Sequence, residues 1–269
     1  MNKKTPVTTS AGLPTVKQAP VSSLMANDVM QGSTGFESMG ADDIAIPFLL
    51  ILQAFSPQVR GTTRIKNAEE GDFYNSVTQE ILKGSIKVIP CAYQKSWVEW
   101  VSRDNGGGFI RQHSSIDILD KCTKNERNQD VLPSGNHVVT TAYQYCLLVK
   151  EDGSTERIVI SFTSTQLKKS RRWNSQMMSQ QILINNKKVT PPMFGFIYKI
   201  DSEEESNDQG TWAGWSISSP ELITDTDLYL SAKKFHDDVT KGVVKTAPPS
   251  DVVDSTPVTT ANEGESEHF

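Results

Sequence analysis

What the chain lacks sets the first limits. It has no run of ~18 apolar residues, so no segment is long enough to cross a bilayer as a helix. Its start, Met-Asn-Lys-Lys, is charged but has no apolar stretch behind it, so no secretory signal is expected. Cysteine is scarce: Cys91, Cys122 and Cys146 are too few and too scattered for a disulfide framework or a zinc knuckle. Cys91 and Cys146 lie in apolar, strand-like runs and are expected to be buried thiols in a reducing cytoplasm. The four histidines (His113, His137, His236, His268) have no metal-ligand spacing. Also missing are His-Glu-x-x-His, Gly-x-Ser-x-Gly and a Walker loop. Asn105-Gly-Gly-Gly108 is glycine-rich, but no Lys-Ser or Lys-Thr and no helix follow it, so it is not a phosphate cradle. A Mg²⁺-dependent nuclease needs clustered carboxylates. Asp72, Glu80 and Lys83, or Asp117 and Asp120, could mimic that, without diagnostic spacing. No catalytic residue, metal ligand or cofactor is therefore expected, and the chain reads as a non-enzyme.

The charge that is present separates along the sequence. From Arg157 to Lys199 there are eight basic residues (Arg157, Lys168, Lys169, Arg171, Arg172, Lys187, Lys188, Lys199) and no acidic one. From Ala247 to Phe269 there are five acidic residues (Asp251, Asp254, Glu263, Glu265, Glu267) and no Lys or Arg. That tail accounts for the whole net charge of -5. A basic segment attracts polyanions, and an acidic tail can compete for the same surface. The pairing predicts a nucleic-acid-binding protein that regulates its own site.

Residues 1–40 and 246–269 are rich in small and polar residues and carry no periodic apolar face, so both are expected to be disordered. The 41–245 segment is long enough for a single core. It reads mostly as strands: Gly71–Val77, Ser85–Ala92, Trp97–Ser102, Val138–Lys150, Glu156–Thr163, Met193–Asp201 and Thr211–Ser218. Glu151-Asp-Gly-Ser154 marks a hairpin turn, and Asn207–Gly210 a second. Helices are expected at Asp42–Ala54, at Thr165–Ile184 and at Thr224–Lys241. In the last, Leu228, Ala232, Phe235 and Val239 share a face, Thr224 or Asp225 can cap it, and Gly242 follows. Many strands and few helices predict a mainly β domain: an OB-fold-like β-barrel with disordered termini.

Two constellations suit a single-stranded ligand. Lys168-Lys169-Ser170-Arg171-Arg172-Trp173 sets four cations in five residues beside an indole, charge for phosphates and a π face for a base. The alternative is a solvated helix face with Trp173 turned into the core. Tyr93–Trp100, followed by Arg103 and Arg111, is the other. In a strand Trp97 and Trp100 point to opposite faces, so at most one can stack on a base. The expected contacts are Lys168, Lys169, Arg171, Arg172, Trp173, Lys187, Lys188, Lys95, Trp97, Trp100, Arg103 and Arg111. In the tail, Glu263, Glu265, Glu267 and Phe269 alternate carboxylates toward a terminal ring and carboxylate, which suits a basic-rimmed apolar pocket on a partner.

Several stretches carry a resemblance: Ile46–Pro57, Glu70–Asn75, Val88–Trp100, Arg172–Met178 and Gly210–Trp215. In these the chain, over most of residues 42–242, resembles a family of early replication-region proteins of short-tailed bacteriophages regarded as single-stranded DNA-binding proteins. The tail resembles those of viral and bacterial single-stranded DNA-binding proteins, with Phe269 and the acidic residues in the matching places, though sparser in charge. The resemblance implies coating of single-stranded DNA in the host cytoplasm during replication and recombination, and docking of the tail on the viral polymerase and helicase-primase. A homo-oligomer is compatible with it, and a membrane is not implied. Two other classes stay open at this point: a Mg²⁺-dependent nuclease, and a virion or host-interaction protein without DNA affinity.

Overall fold

The computed structural model describes residues 20–32, 35–39, 45–61, 63–207, 210–243 and 245–246. The described chain opens with α1 (Pro20–Met30), β1 (Ala45–Ile46), β2 (Phe48–Ile51) and the one-turn α2 (Pro57–Arg60). It continues through β3 (Phe73–Asn75), β4 (Ile81–Leu82), the long β5 (Ile86–Trp100), β6 (Phe109–His113), β7 (Thr123–Lys124) and β8 (Asp130–Val131). A second long strand, β9 (His137–Val149), and β10 (Thr155–Thr163) lead to α3 (Leu167–Ser179) and a small hairpin, β11 (Ile182–Ile184) and β12 (Lys187–Val189). Last come β13 (Phe196–Asn207), β14 (Gly210–Ile217), β15 (Glu221–Leu222), α4 (Thr226–Thr240) and β16 (Lys245–Thr246).

One sheet dominates, in the order β14-β13-β5-β9-β10-β2-β3-β4. It is mainly antiparallel, with β10 and β2 parallel. The strands at its two ends meet. Phe73 of β3 and Trp215 of β14 stack with centroids 5.5 Å apart at 23°. Gln53, just past β2, donates from Nε2 to the Ala213 carbonyl at 2.9 Å and accepts from the Ala213 amide at 3.0 Å. Such contacts require a curled sheet, so the mainly β expectation holds as a half-barrel. The enclosed face carries Leu49, Ile86, Val88, Ala142, Cys146, Ile158, Ile160, Phe162 and Tyr198, closed over by Trp173 and Met177 of α3. The outer face carries Ile89, Cys91, Tyr143, Tyr145, Leu147 and Val159 against Ala232 and Phe235 of α4.

Several expected elements formed for the expected reasons. The Lys150 amide donates to the Ser154 carbonyl across the turn that pairs β9 with β10. In α4, Asp225 Oδ1 caps the Leu228 amide at 2.9 Å, and Gly242 follows with φ of 69°. Others differ. Asp42–Ala54 is not a helix where described: Pro47 interrupts it, and the apolar run Phe48–Ile51 is a strand flanked by partners on both sides. The strands expected at 85–92 and 97–102 are one continuous β5, because Pro90, which has no amide to donate, sits at a bulge where the register passes from Pro90↔Cys146 to Ala92↔Tyr145. Thr165–Ile184 is a helix only to Ser179, after which Asn185 and Asn186, both at positive φ, turn a hairpin. Within residues 1–40, expected to be disordered, Pro20–Met30 forms a helix led by its proline, with the side chains from Ser23 onward exposed.

Candidate nucleic-acid interface

Helix α3 lies on the enclosed face by burying Ser170, Trp173 and Met177. Its periodicity then turns Lys168, Arg171 and Arg172 outward, where all three are exposed and none has an ion-pair partner among the described residues. Two expected contacts are corrected here. Trp173 is 1% exposed and meets Tyr198 edge-on at 5.5 Å and Phe162 at 6.2 Å, so it is a core residue and offers no face to a base. Lys169 pairs with Glu203 and, at 2.8 Å, with Glu205 of β13, which leaves its side chain 18% exposed. Burial opposes the charge on Lys169, but the two carboxylates outweigh it and raise its pKa. Lys169 in turn lowers the pKa of Glu203, against partial burial and with help from Arg172. The segment that is acid-free in sequence thus meets Glu203-Glu204-Glu205 in space, and the residue facing that strand is consumed as a structural pair.

Lys187 and Lys188 stand exposed on β12, opposite Ile184 and Leu183. Leu183 beside them is 71% exposed, as is Met178 at 76% near the end of α3.

On β5, directly opposed residues share a face with their β9 partners. Tyr93 opposes Gln144, Lys95 opposes Ala142 and Trp97 opposes Thr140, so these three look onto the enclosed side beyond α3. Gln144 donates to Asn174 of α3 at 2.6 Å. Gln144 thus ties the middle of α3 to the stretch of β9 that pairs with Tyr93, with Arg171 one turn before Asn174 on the helix. Through β9 the structure links the elements that carry the two constellations, which lie about 75 residues apart in sequence.

The aromatic assignment within this arc changes. Trp97 is 7% exposed, with the Lys95 ammonium over its ring at 5.5 Å. Trp100 is partly buried on the outer face, edge-on to Phe109 at 5.9 Å. Neither indole presents a bare face; the accessible ring is Tyr93, 42% exposed. The bulge hides this from the sequence, because it moves every strand residue from Ala92 onward to the opposite face from the one that continuous alternation predicts.

Arg111 is exposed but belongs to a cluster around buried Glu99, with Arg111 Nε at 3.5 Å, His113 Nε2 at 2.9 Å and Asn136 Nδ2 donating at 2.7 Å. The Arg103 side chain and the tail residues Glu263, Glu265, Glu267 and Phe269 lie outside the described residues. Of the residues weighed for a nuclease site, Asp72 pairs with Lys83 and Glu80 with Lys150, each at 3.1 Å. Among the described residues no group of three or more His, Cys, Asp or Glu side chains is placed to hold a metal ion. No described helix is long and apolar enough to cross a membrane.

Fold and site together define a β half-barrel protein whose enclosed side is closed by a helix with exposed cations. The chain belongs to the Pam3 phage gp34-like protein family, a bacteriophage family that it matches over residues 15–245. No curated protein and no solved structure matches it.

Proposed function

We propose that this phage protein binds single-stranded DNA and coats strands exposed during replication or recombination. One observation carries the reading: Lys168, Arg171 and Arg172 are exposed on α3 without an ion-pair partner among the described residues, and Asn174 of the same helix is bonded to Gln144, the β9 residue opposite the accessible Tyr93. Exposed cations free of ion pairs suit a phosphate backbone, and an accessible ring suits an unpaired base. Lys187 and Lys188 extend the cationic path along the hairpin. In this reading Tyr93 takes the stacking role that the sequence assigns to an indole, and Lys169 only steadies α3. The protein acts in the host cytoplasm, with the acidic segment after residue 246 and Phe269 as a docking peptide for the phage polymerase and helicase-primase.

The test is a titration of the full chain with labelled single- and double-stranded oligonucleotides over a range of salt. Single strands are expected to bind more tightly, with affinity falling steeply as salt rises. The log–log salt slope should shrink by about 0.7 for each phosphate contact removed, so the triple variant K168A/R171A/R172A should lose about 2 from it. Lys169→Ala should leave the slope unchanged. Duplex bound as tightly as single strands, or a slope indifferent to the triple variant, would sink the reading.

A further inference from the structure

The loop joining β2 to β3, residues 52–72, supplies none of the contacts expected from the sequence, yet it has the parts of a second one. From Ile44 to Ala68 the chain holds Arg60, Arg64 and Lys66 and no acidic residue. All three cations are exposed, and none has an ion-pair partner among the described residues. Two of them, Arg60 and Arg64, line a cavity of about 610 Å³ together with Ala54, Val59, Ala68, Glu69 and Glu70. Of the two carboxylates there, Glu69 is already held by Lys83 at 3.1 Å.

The loop is built to hold this shape. Leu52, Ala68 and Tyr74 form a small core of their own, with Val59 and Ile65 packed on it. The Gly71 amide donates to the Leu52 carbonyl and the Ile65 amide to the Gln58 carbonyl, both at 2.8 Å. Against that packing one side chain stands out: Phe55, 76% exposed, with the Arg60 guanidinium 5.3 Å from its ring centroid. A loop that packs its other large apolar groups yet leaves a phenyl ring in water beside the Arg60 guanidinium, with Arg64 lining the same cavity as Arg60 and Lys66 exposed on the same loop, has the composition of a base-and-phosphate site.

Position supports the same reading. Gln53, two residues before Phe55, is fixed to the backbone of Ala213. Two residues further along β14, the Trp215 amide donates to Gln166, the residue that precedes α3. The loop is therefore tied through β14 to the end of α3 that carries Lys168.

We propose that the β2–β3 loop is a second contact for single-stranded nucleic acid, in which Phe55 stacks on a base while Arg60, Arg64 and Lys66 hold the flanking phosphates. This rests on the reading of α3 and Tyr93 as a single-strand surface and extends that surface across the seam of the half-barrel.

The experiment uses the full chain and a labelled oligothymidylate of ~16 nucleotides, long enough to span both contacts. Phe55→Ala and Phe55→Leu should each weaken binding by about 10- to 100-fold, since leucine keeps the apolar surface but not the π face. Phe55→Trp should bind like the parent, with extra indole fluorescence quenched by the oligonucleotide. Because Phe55 is exposed, none of the three should shift the thermal midpoint. If Phe55→Ala and Phe55→Leu bind like the parent while R171A/R172A is weakened, the loop contact is overturned and the α3 reading survives. If the Phe55 variants weaken and R171A/R172A does not, the loop contact stands and the α3 surface falls. A parent protein that binds no single strand overturns both.

Discussion

Glu99 sits on β5 with its side chain 8% exposed, a position that by itself would favour the neutral acid. Burial does push its pKa up, but Asn136, His113 and Arg111 together outweigh it, so the carboxyl titrates below its ordinary value of 4.5. A carboxyl whose pKa is lower folded than unfolded stabilises the fold above the unfolded value, and that contribution disappears as pH falls through the folded one. The thermal midpoint should therefore drop on acidification below about pH 4.5, and Glu99→Gln should be less stable than the parent at neutral pH but show a flatter decline across that window. Equal declines in parent and variant would show that the cluster contributes nothing. Glu203, also lowered, acts in the same window, though at 47% exposure solvent screens its pair with Lys169. At this scale residue type was a poor guide. Lys168 and Lys169 are sequence neighbours of one type, but the turn of the helix sends one to solvent and the other to Glu203 and Glu205. The cysteines, by contrast, were legible: burial takes Cys91 up to about 12 and Cys146 upward too, as expected of thiols in apolar strands.

At the scale of elements, what could be foreseen was whatever local chemistry specifies. The face and cap of α4, the Asp-Gly turn between β9 and β10, and the β-branched and aromatic run of β9 are written in consecutive residues. The unforeseen parts depend on partners distant in sequence. Tyr93 to Ser96 resembles a turn until β9 pairs with it, and the Phe48–Ile51 run is equally compatible with a buried helix until β10 and β3 flank it. The β11–β12 turn escaped because it uses Asn185-Asn186 rather than an Asn-Gly signal. The closure of the half-barrel is likewise invisible in sequence, since it falls to side chains: the Phe73–Trp215 stack and the amide of Gln53, which serves the edge of β14 as a backbone partner would. Gln53→Ala would leave the Ala213 amide and carbonyl unpaired in a buried seam, at a cost of about 1–3 kcal/mol. A urea melt should show that loss, together with faster hydrogen exchange in β14. An unchanged melt would mean that the Phe73–Trp215 stack alone holds the ends together.

For the molecule as a whole, the segregation of charge along the sequence was real but incomplete as a guide to the surface. Folding sets the acidic stretch of β13 against one side of α3, so the basic segment is neutralised on that side and bare on the other. The other side, with Lys168 and Arg171, carries no ion pair among the described residues and is the part of the helix proposed above to meet a polyanion. A competing polyanion already exists within the chain, because residues 247–269 carry five carboxylates and no Lys or Arg. Removing them changes the formal net charge from -5 to zero without touching any described residue. If the proposed surface binds single-stranded DNA, the truncated protein should bind it more tightly at low salt, since no tethered carboxylate then competes with phosphate. The advantage should fade as salt rises toward ~1 M, where the screening length shrinks to about 3 Å. Phe269→Ala, which alters no side-chain charge, should leave DNA affinity unchanged while weakening capture of the phage polymerase or helicase-primase. Parent and truncated proteins with the same affinity at low salt would show that the tail does not reach the cationic rim, and partner capture unaffected by Phe269→Ala would remove its docking role.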